Sequence, residues 1–262
     1  MQISKISLVY FSATYTTKKV MQTIVKPFVG NVIEYDITQD AFKNEIILGD
    51  DNLLVVGAPV YVGRIPEVAL KSFEKIKGKN TPAVIVCVYG NRDYDDALLE
   101  LKDTIESNGF KVISAAAFIA QHSIFPKVGQ HRPDEKDIVE IEKFGNNSAT
   151  LLESIKDISA LQEVIVEGNR PYKIPGKNPL RPKGDKKCNE CGTCVMLCPA
   201  QAIHADKPRK TNTICIACGR CIVVCPQKAR NFGGLLYKLV GGKFTKANSE
   251  RKEPLIRYAS MQ

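Results

Sequence analysis

Cys188-x2-Cys191-x2-Cys194-x3-Cys198-Pro199 is followed by Cys215-x2-Cys218-x2-Cys221-x3-Cys225-Pro226. The second run repeats the first at an offset of 27 residues, and Ala202 matches Ala229 as well. Spacing of x2 lets one chain wrap three corners of a small cube, each iron corner taking one soft thiolate. Backbone N–H groups in such a wrap point at sulfur and offset negative charge. This spacing holds two 4Fe–4S clusters, the fourth cysteine of each run crossing to the other cluster. Cys188, Cys191, Cys194 and Cys225 are therefore expected to hold one cluster, and Cys215, Cys218, Cys221 and Cys198 the other.

Zinc and disulfides are the competing readings of so many cysteines. Zinc takes two CxxC pairs, whereas here two runs of three carry a crossing fourth. Disulfides belong to oxidising compartments, and no feature of the chain points to export. Over about residues 180–232 the chain resembles the bacterial two-cluster ferredoxin domain.

The rest of the composition agrees with metal rather than stapling, because the first 187 residues contain only Cys87, in a strand-like apolar run that reads as core. With 262 residues the chain is long enough for two domains. No apolar run reaches the length of a membrane span. The short apolar run Ile6–Phe11 has no basic n-region and no cleavage site, so it is not read as a signal peptide. A cytoplasmic, anaerobic setting is expected, because such clusters are oxygen-sensitive. Charge is divided unevenly: residues 1–165 carry 18 Lys+Arg against 22 Asp+Glu, and residues 166–262 carry 19 against 6. A basic half beside redox centres steers acidic partners or anionic ligands; the competing reading is that these charges solvate a long tail and balance the clusters' own negative charge.

The N-terminal part alternates strand-like and helix-like stretches. Residues 3–11 end in a continuous apolar run, the pattern of a buried parallel strand. Ser12-Ala13-Thr14-Tyr15-Thr16-Thr17 follows, and then an amphipathic stretch to about Val29. A hydroxyl-rich turn at a helix N-terminus is a phosphate site, since free N–H groups and the helix dipole both favour an anion. No GxxxxGK is present, so it is not a Walker loop. Further strands are read at 31–37, 53–58, 82–89 and 111–120, with helices between them and a last one from about Asp134 to Lys156. This alternation predicts an α/β, doubly wound, five-stranded parallel sheet.

Three loops in order carry a resemblance to flavodoxin over residues 1–160: S-x-T-x-x-T from Ser12, G-x-P-x-Y-x-G from Gly57, and an aromatic loop from Gly90. The resemblance implies FMN at the switch point outside the strand ends. It implies that Ser12, Thr14, Tyr15, Thr16 and Thr17 form the phosphate turn, Tyr15 standing where the family has a small or amide residue. It also implies that Pro59, Val60, Tyr61 and Gly63 flank the ring on one side, and Gly90, Asn91 and Tyr94 on the other. A Pro/Gly-rich basic linker is read at 161–182, the small two-cluster ferredoxin-like domain at 183–232, and a basic tail at 233–262. Segment 235–240 reads as a short helix or strand, and 243–262 as weakly packed or in contact with a partner.

The whole chain resembles the flavodoxin–ferredoxin fusions of anaerobes. That implies electron transfer between low-potential one-electron donors, such as a ferredoxin, and FMN through the two clusters. The alternative is a ferredoxin-dependent flavin reductase acting on a small molecule stacked on the flavin. Arg64, Arg92, His122, His131 and Arg132 form the polar set on strand-end loops that bears on this choice. His122 and Arg92 are the candidate catalytic pair, His122 as proton donor; the same residues also suit binding flavin oxygens or capping loops. No GxGxxG follows a strand, which argues against a built-in nicotinamide domain. Nucleic-acid binding fits poorly, because the tail lacks aromatic interleaving. The sequence leaves the oligomeric state open, a homodimer included.

Overall fold

The computed structural model describes residues 1, 3–176 and 178–260. Five parallel strands form the centre: β1 (Lys5–Tyr10), β2 (Asn31–Asp36), β3 (Asn52–Pro59), β4 (Thr81–Tyr89) and β5 (Phe110–Ile119). They alternate with α1 (Thr16–Val25), α2 (Glu67–Phe73), α3 (Ala97–Ser107) and α4 (Glu135–Ser154). Every residue of β4 is buried, and β3 is buried from Asn52 to Ala58. Such strands are covered on both faces, so their sequences run apolar without alternation. β2 is largely exposed, as an edge strand should be. Helix α4 packs on α1, with Gly145 tight against the Ile24 carbonyl, where an added Cβ would sit 2.6 Å from that oxygen. Its first turn is closed by a capping box between Asp134 and Asp137.

Sheet order is β2-β1-β3-β4-β5, the flavodoxin-like doubly wound order, and the order of strand addition reverses between β1 and β3, which run parallel. A sixth strand, β6 (Leu255–Tyr258), pairs antiparallel with β5 from Leu255↔Ala117 to Tyr258↔Ser114. The C-terminal segment expected to pack weakly therefore covers the free edge of β5. Two features hid this. The strand is only four residues long, and its flanks are charged. The preceding segment is α7 (Leu235–Ala247), a helix that runs through Gly241 and Gly242. A Cβ at Gly241 would lie 3.1 Å from the Phe125 ring, so glycine allows the helix to sit down on the loop after β5. Phe125 stacks with Tyr237 at 5.4 Å and meets Phe244 at 4.9 Å between ring centroids. Aromatic pairs of this kind add about 0.5–1.5 kcal/mol beyond area burial.

The cysteine repeat folds as two matching halves with short helices α5 (Thr193–Met196) and α6 (Arg220–Val223). Their backbones agree position by position. Gly192 and Gly219 both have φ 78°, Gln201 and Lys228 both 49°, and Glu190 and Ala217 have 61° and 53°. The 27-residue offset is thus a structural repeat as well as a sequence one. Short ladders close the module: Lys183–Gly184 pairs with Arg230–Asn231, and Ile203 bridges Thr211.

The 161–182 stretch forms no helix or strand among its described residues, as its prolines predict. It is nonetheless anchored. Asp96 accepts N–H bonds from Asn169 at 2.8 Å and Lys173 at 2.6 Å, and Arg170 pairs with Asp103 at 2.5 Å.

Candidate functional site

Each half of the repeat contributes three cysteines to one cavity and its fourth to the other. Cys188, Cys191, Cys194 and Cys225 line one cavity, with Arg230 beside them. Cys198, Cys215, Cys218 and Cys221 line the other. The structure thus brings each of these sets of four together around one cavity. Among the described residues no three His, Cys, Asp or Glu side chains close on a single-ion position. Four sulfurs spread round a cavity suit a cube, whose irons each take one thiolate, rather than one tetrahedral zinc. Backbone N–H groups already point at sulfur: Ala202 to Cys198 Sγ and Ala229 to Cys225 Sγ, both at 3.3 Å. Burial pushes the Cys218 thiol up to about 12 and the Cys221 thiol up to about 11. Bound metal removes such protons outright, so loading the module releases them.

Two buried arginines inside the repeat were not singled out from the sequence. Arg230 has 2% of its surface exposed, and its guanidinium lies 3.9 Å from Cys194 Sγ while donating to the Pro182 carbonyl at 2.9 Å. A fixed positive charge at that distance favours the more negative form of whatever the thiolates hold. Arg220, 7% exposed, lines the Cys198/Cys215/Cys218/Cys221 cavity, and its Nη1 end reaches the turn after β1. A signal for both was present. At the 27-residue offset Arg220 stands opposite Thr193 and Arg230 opposite Ile203, so each breaks the repeat.

At the C-terminal ends of the strands lies another cavity. Thr14, Thr16 and Thr17 line it from the turn after β1, and Pro59, Val60 and Tyr61 from the loop after β3. Gly90, Gln121 and His122 close it from the ends of β4 and β5, and Ile216 and Ala217 from the cysteine module. Tyr15 adopts φ 64° to turn the chain into α1, a conformation that costs a non-glycine residue strain. Its ring is half-exposed beneath the Arg220 guanidinium, 4.7 Å away. Ser12 is not on the wall. Its Oγ accepts the Lys18 N–H at 2.9 Å, and its own N–H donates to Thr38 Oγ1 at 2.8 Å. Ser12 therefore closes the turn, and Thr14, Thr16 and Thr17 line the cavity. Among the described residues none accepts a hydrogen bond from the N–H groups of residues 14–17.

Gly63 and Arg92 lie on an adjoining cavity of about 400 Å³, which shares Val60, Gly90 and His122 with the first. Val240 and Phe244 of α7 and Pro179 and Leu180 of the linker roof it. Gly63 has φ 82°, and any Cβ there would run into the Asp95 carboxylate.

Asn91 and Tyr94, expected to flank the ring, are turned elsewhere. Asn91 Nδ2 donates to the carbonyls of Asn248 at 3.0 Å and Glu250 at 2.8 Å, and its Oδ1 accepts from Arg132 Nη1 at 3.0 Å. It clips the C-terminal segment to the sheet. Tyr94 packs edge-on against Tyr89 at 5.5 Å. The physical reason differs: the tail that forms α7 and β6 supplies the partners of Asn91, which no short-range pattern announces, whereas Tyr94 turns back onto Tyr89 of β4. An Asn91→Ala substitution is expected to lower stability by about 1–3 kcal/mol by orphaning these buried groups. Flavin affinity should stay within about twofold, as fluorescence titration of the two proteins would check.

The remaining polar residues divide. Arg64 holds Glu100 and stacks on Tyr172 at 4.8 Å, which makes it a structural pin. His131 is exposed, its N–H donating to Gln121 Oε1, and Arg132 is buried in an ion pair with Asp137. Arg92 pairs with Asp95. His122 Nδ1 accepts the N–H groups of Ile124 at 3.1 Å and Phe125 at 3.2 Å, which leaves the ring proton on Nε2. Burial, with Arg92 adding to it, lowers the His122 imidazole to about 4. A lowered value means the ring is already neutral everywhere above about pH 4 and gains a proton only below it. The expected proton donor is thus a loop cap that offers one N–H. Reduction at this site should show no His122-dependent inflection over about pH 5–8. A pH profile of wild type against His122→Gln checks this.

Residues 187–230 match the family described as 4Fe-4S dicluster domain. No curated protein matches the chain significantly. Among solved structures, oxidised flavodoxin 1 from Bacillus cereus is 14% identical, with 58% of this chain and 100% of that one covered and a TM-score of 0.42. Fusobacterium nucleatum flavodoxin bound to flavin mononucleotide is 16% identical, with 58% and 98% covered and a TM-score of 0.39. Rubredoxin oxygen:oxidoreductase from the anaerobe Desulfovibrio gigas is 12% identical, with 58% and 37% covered and a TM-score of 0.41. The fold assignment rests on the strand order itself. A flavodoxin-like α/β fold and a 4Fe-4S dicluster module are joined in one chain.

Proposed function

We propose that this chain transfers electrons between low-potential one-electron donors and FMN, through two 4Fe–4S clusters held by the crossed cysteine sets. One observation carries the reading. Ile216, between Cys215 and Cys218, borders both the Cys198/Cys215/Cys218/Cys221 cavity and the strand-end cavity. A cluster and a flavin in those places would be separated by one layer of side chains. Bound FMN accepts one or two electrons and each cluster passes one, so together they join single-electron donors to two-electron storage.

The chain's own residues fit that assignment. Thr14, Thr16, Thr17 and the free N–H groups of the turn suit a terminal phosphate at the start of α1. Apolar Val60, Val62 and Tyr61 suit a ring that must be kept from bulk water. The far cluster set faces outward: Cys191 and neighbouring Met196 are exposed, and Arg209 and Lys210 lie in the same module. An acidic one-electron carrier such as a ferredoxin would be steered to such a surface. No helix among the described residues is long and apolar enough to cross a membrane.

A second reading, a flavin reductase for a small molecule, draws on the adjoining cavity lined by Arg92, His122 and Lys173. Anaerobic reoxidation of the reduced protein against a panel of acceptors separates the two. Oxidation by protein carriers alone supports the first; rapid turnover of a small molecule, lost when the roof is crowded by Val240→Trp, supports the second and overturns the first.

A further inference from the structure

Among the described residues, neither lysine that follows the turn that would take the FMN phosphate is directed at it. Lys18 pairs with Glu34 at 3.2 Å, and Lys19 lies by Pro133 and Asp134 on another surface. A cation arrives instead from the cysteine module. Arg220 sits between Cys218 and Cys221, and its Nη1 donates to the Ala13 carbonyl at 3.3 Å. Its guanidinium covers the Tyr15 ring at 4.7 Å. Adjacent Gly219 lies against the same turn, where an added Cβ would be in ordinary van der Waals contact with Thr14 Cγ2 at 3.4 Å.

Arg220 is 7% exposed, and its Nε is buried with no hydrogen-bond partner among the described residues. An unspent donor on a buried cation is costly unless an anion completes it. The cluster wrap does not itself require this charge, because Thr193 occupies the same position in the first half. Free amides of residues 14–17 lie on the same turn.

We propose that Arg220 pairs with the phosphate of bound FMN, so that the cysteine module completes the flavin site. This rests on the flavin reading above. Its consequence is a coupling: folding of the cluster module raises affinity for the phosphorylated flavin, and bound FMN holds the module against the sheet.

The test uses flavin-free, cluster-loaded protein under argon, titrated with FMN and with riboflavin, which lacks the phosphate. Iron content and the visible spectrum are recorded for each variant. Arg220→Gln is expected to weaken FMN binding by about tenfold or more, the worth of a charge-assisted hydrogen bond. Riboflavin binding should stay within about twofold, and Arg220→Lys should fall between wild type and Arg220→Gln for FMN. If Arg220→Gln fails to load iron, Arg220→Lys decides, by weakening FMN selectively or not. Equal weakening of both flavins, or of neither, overturns the proposal. Failure of the wild type to bind either flavin overturns the flavin reading itself, and the proposal with it.

Discussion

Replacing Cys218 with serine is expected to remove one cluster, lowering iron from about eight to about four per chain. Flavin reduction by a protein donor should fall to background with it. Cys218 is buried against the core of the sheet domain, beside Tyr61 on the wall of the strand-end cavity. It belongs to the set nearer the candidate flavin. Cys191, by contrast, is exposed and belongs to the outer set. Cys191→Ser should lose the same amount of iron and fail with the protein donor. It should still let a small inorganic reductant reach the flavin through the inner cluster. Iron analysis with anaerobic stopped-flow of the two variants checks the contrast. Equal behaviour toward both donors would place the clusters in some other order.

Arg132→Ala is expected to cost about 3–5 kcal/mol of stability, the penalty for orphaning one partner of a buried ion pair. Arg132 and Asp137 side chains are 4% and 6% exposed and meet at 2.5 Å. The same guanidinium donates to the Lys252 carbonyl at 2.8 Å and to Asn91. Arg251 also reaches Asp137 at 2.8 Å, so some charge compensation remains and the lower part of the range is expected. Loss should appear first as faster proteolysis after residue 247, because the knot ties α7 and β6 to the sheet. Denaturant unfolding under argon gives the total, and timed digestion gives the locus.

These two substitutions divide what the sequence could and could not reveal. The Cys218 contrast rests on spacing: a 27-residue offset, eight cysteines and the crossing fourth ligand are visible in one dimension. The parallel strands were equally plain, because burial on both faces writes continuous apolar runs such as Val84-Ile85-Val86-Cys87-Val88. The Arg132 knot was not legible. Its partners are Asn91, Asp137, Arg251 and Lys252, and only Asp137 is near in sequence. Asn91 reads as ring-flanking for the same reason, while Tyr94 is taken by its neighbour Tyr89. Local pattern shows that a loop leaves β4, but it does not show that the C-terminus returns to occupy that loop's polar groups. Arg220 is intermediate. Its departure from the repeat is readable, but its target, Ala13, is 207 positions away and only the fold brings them together.

The central claim is that electrons reach the flavin through the inner cluster, and time-resolved anaerobic reduction tests it most directly. Oxidised protein carrying both clusters and FMN is mixed with a one-electron protein donor, and cluster and flavin bands are followed together. The account predicts that cluster absorbance bleaches first and that flavin reduction follows at a rate independent of protein concentration. Flavin reduction at the same rate in Cys218→Ser protein lacking the inner cluster would contradict it.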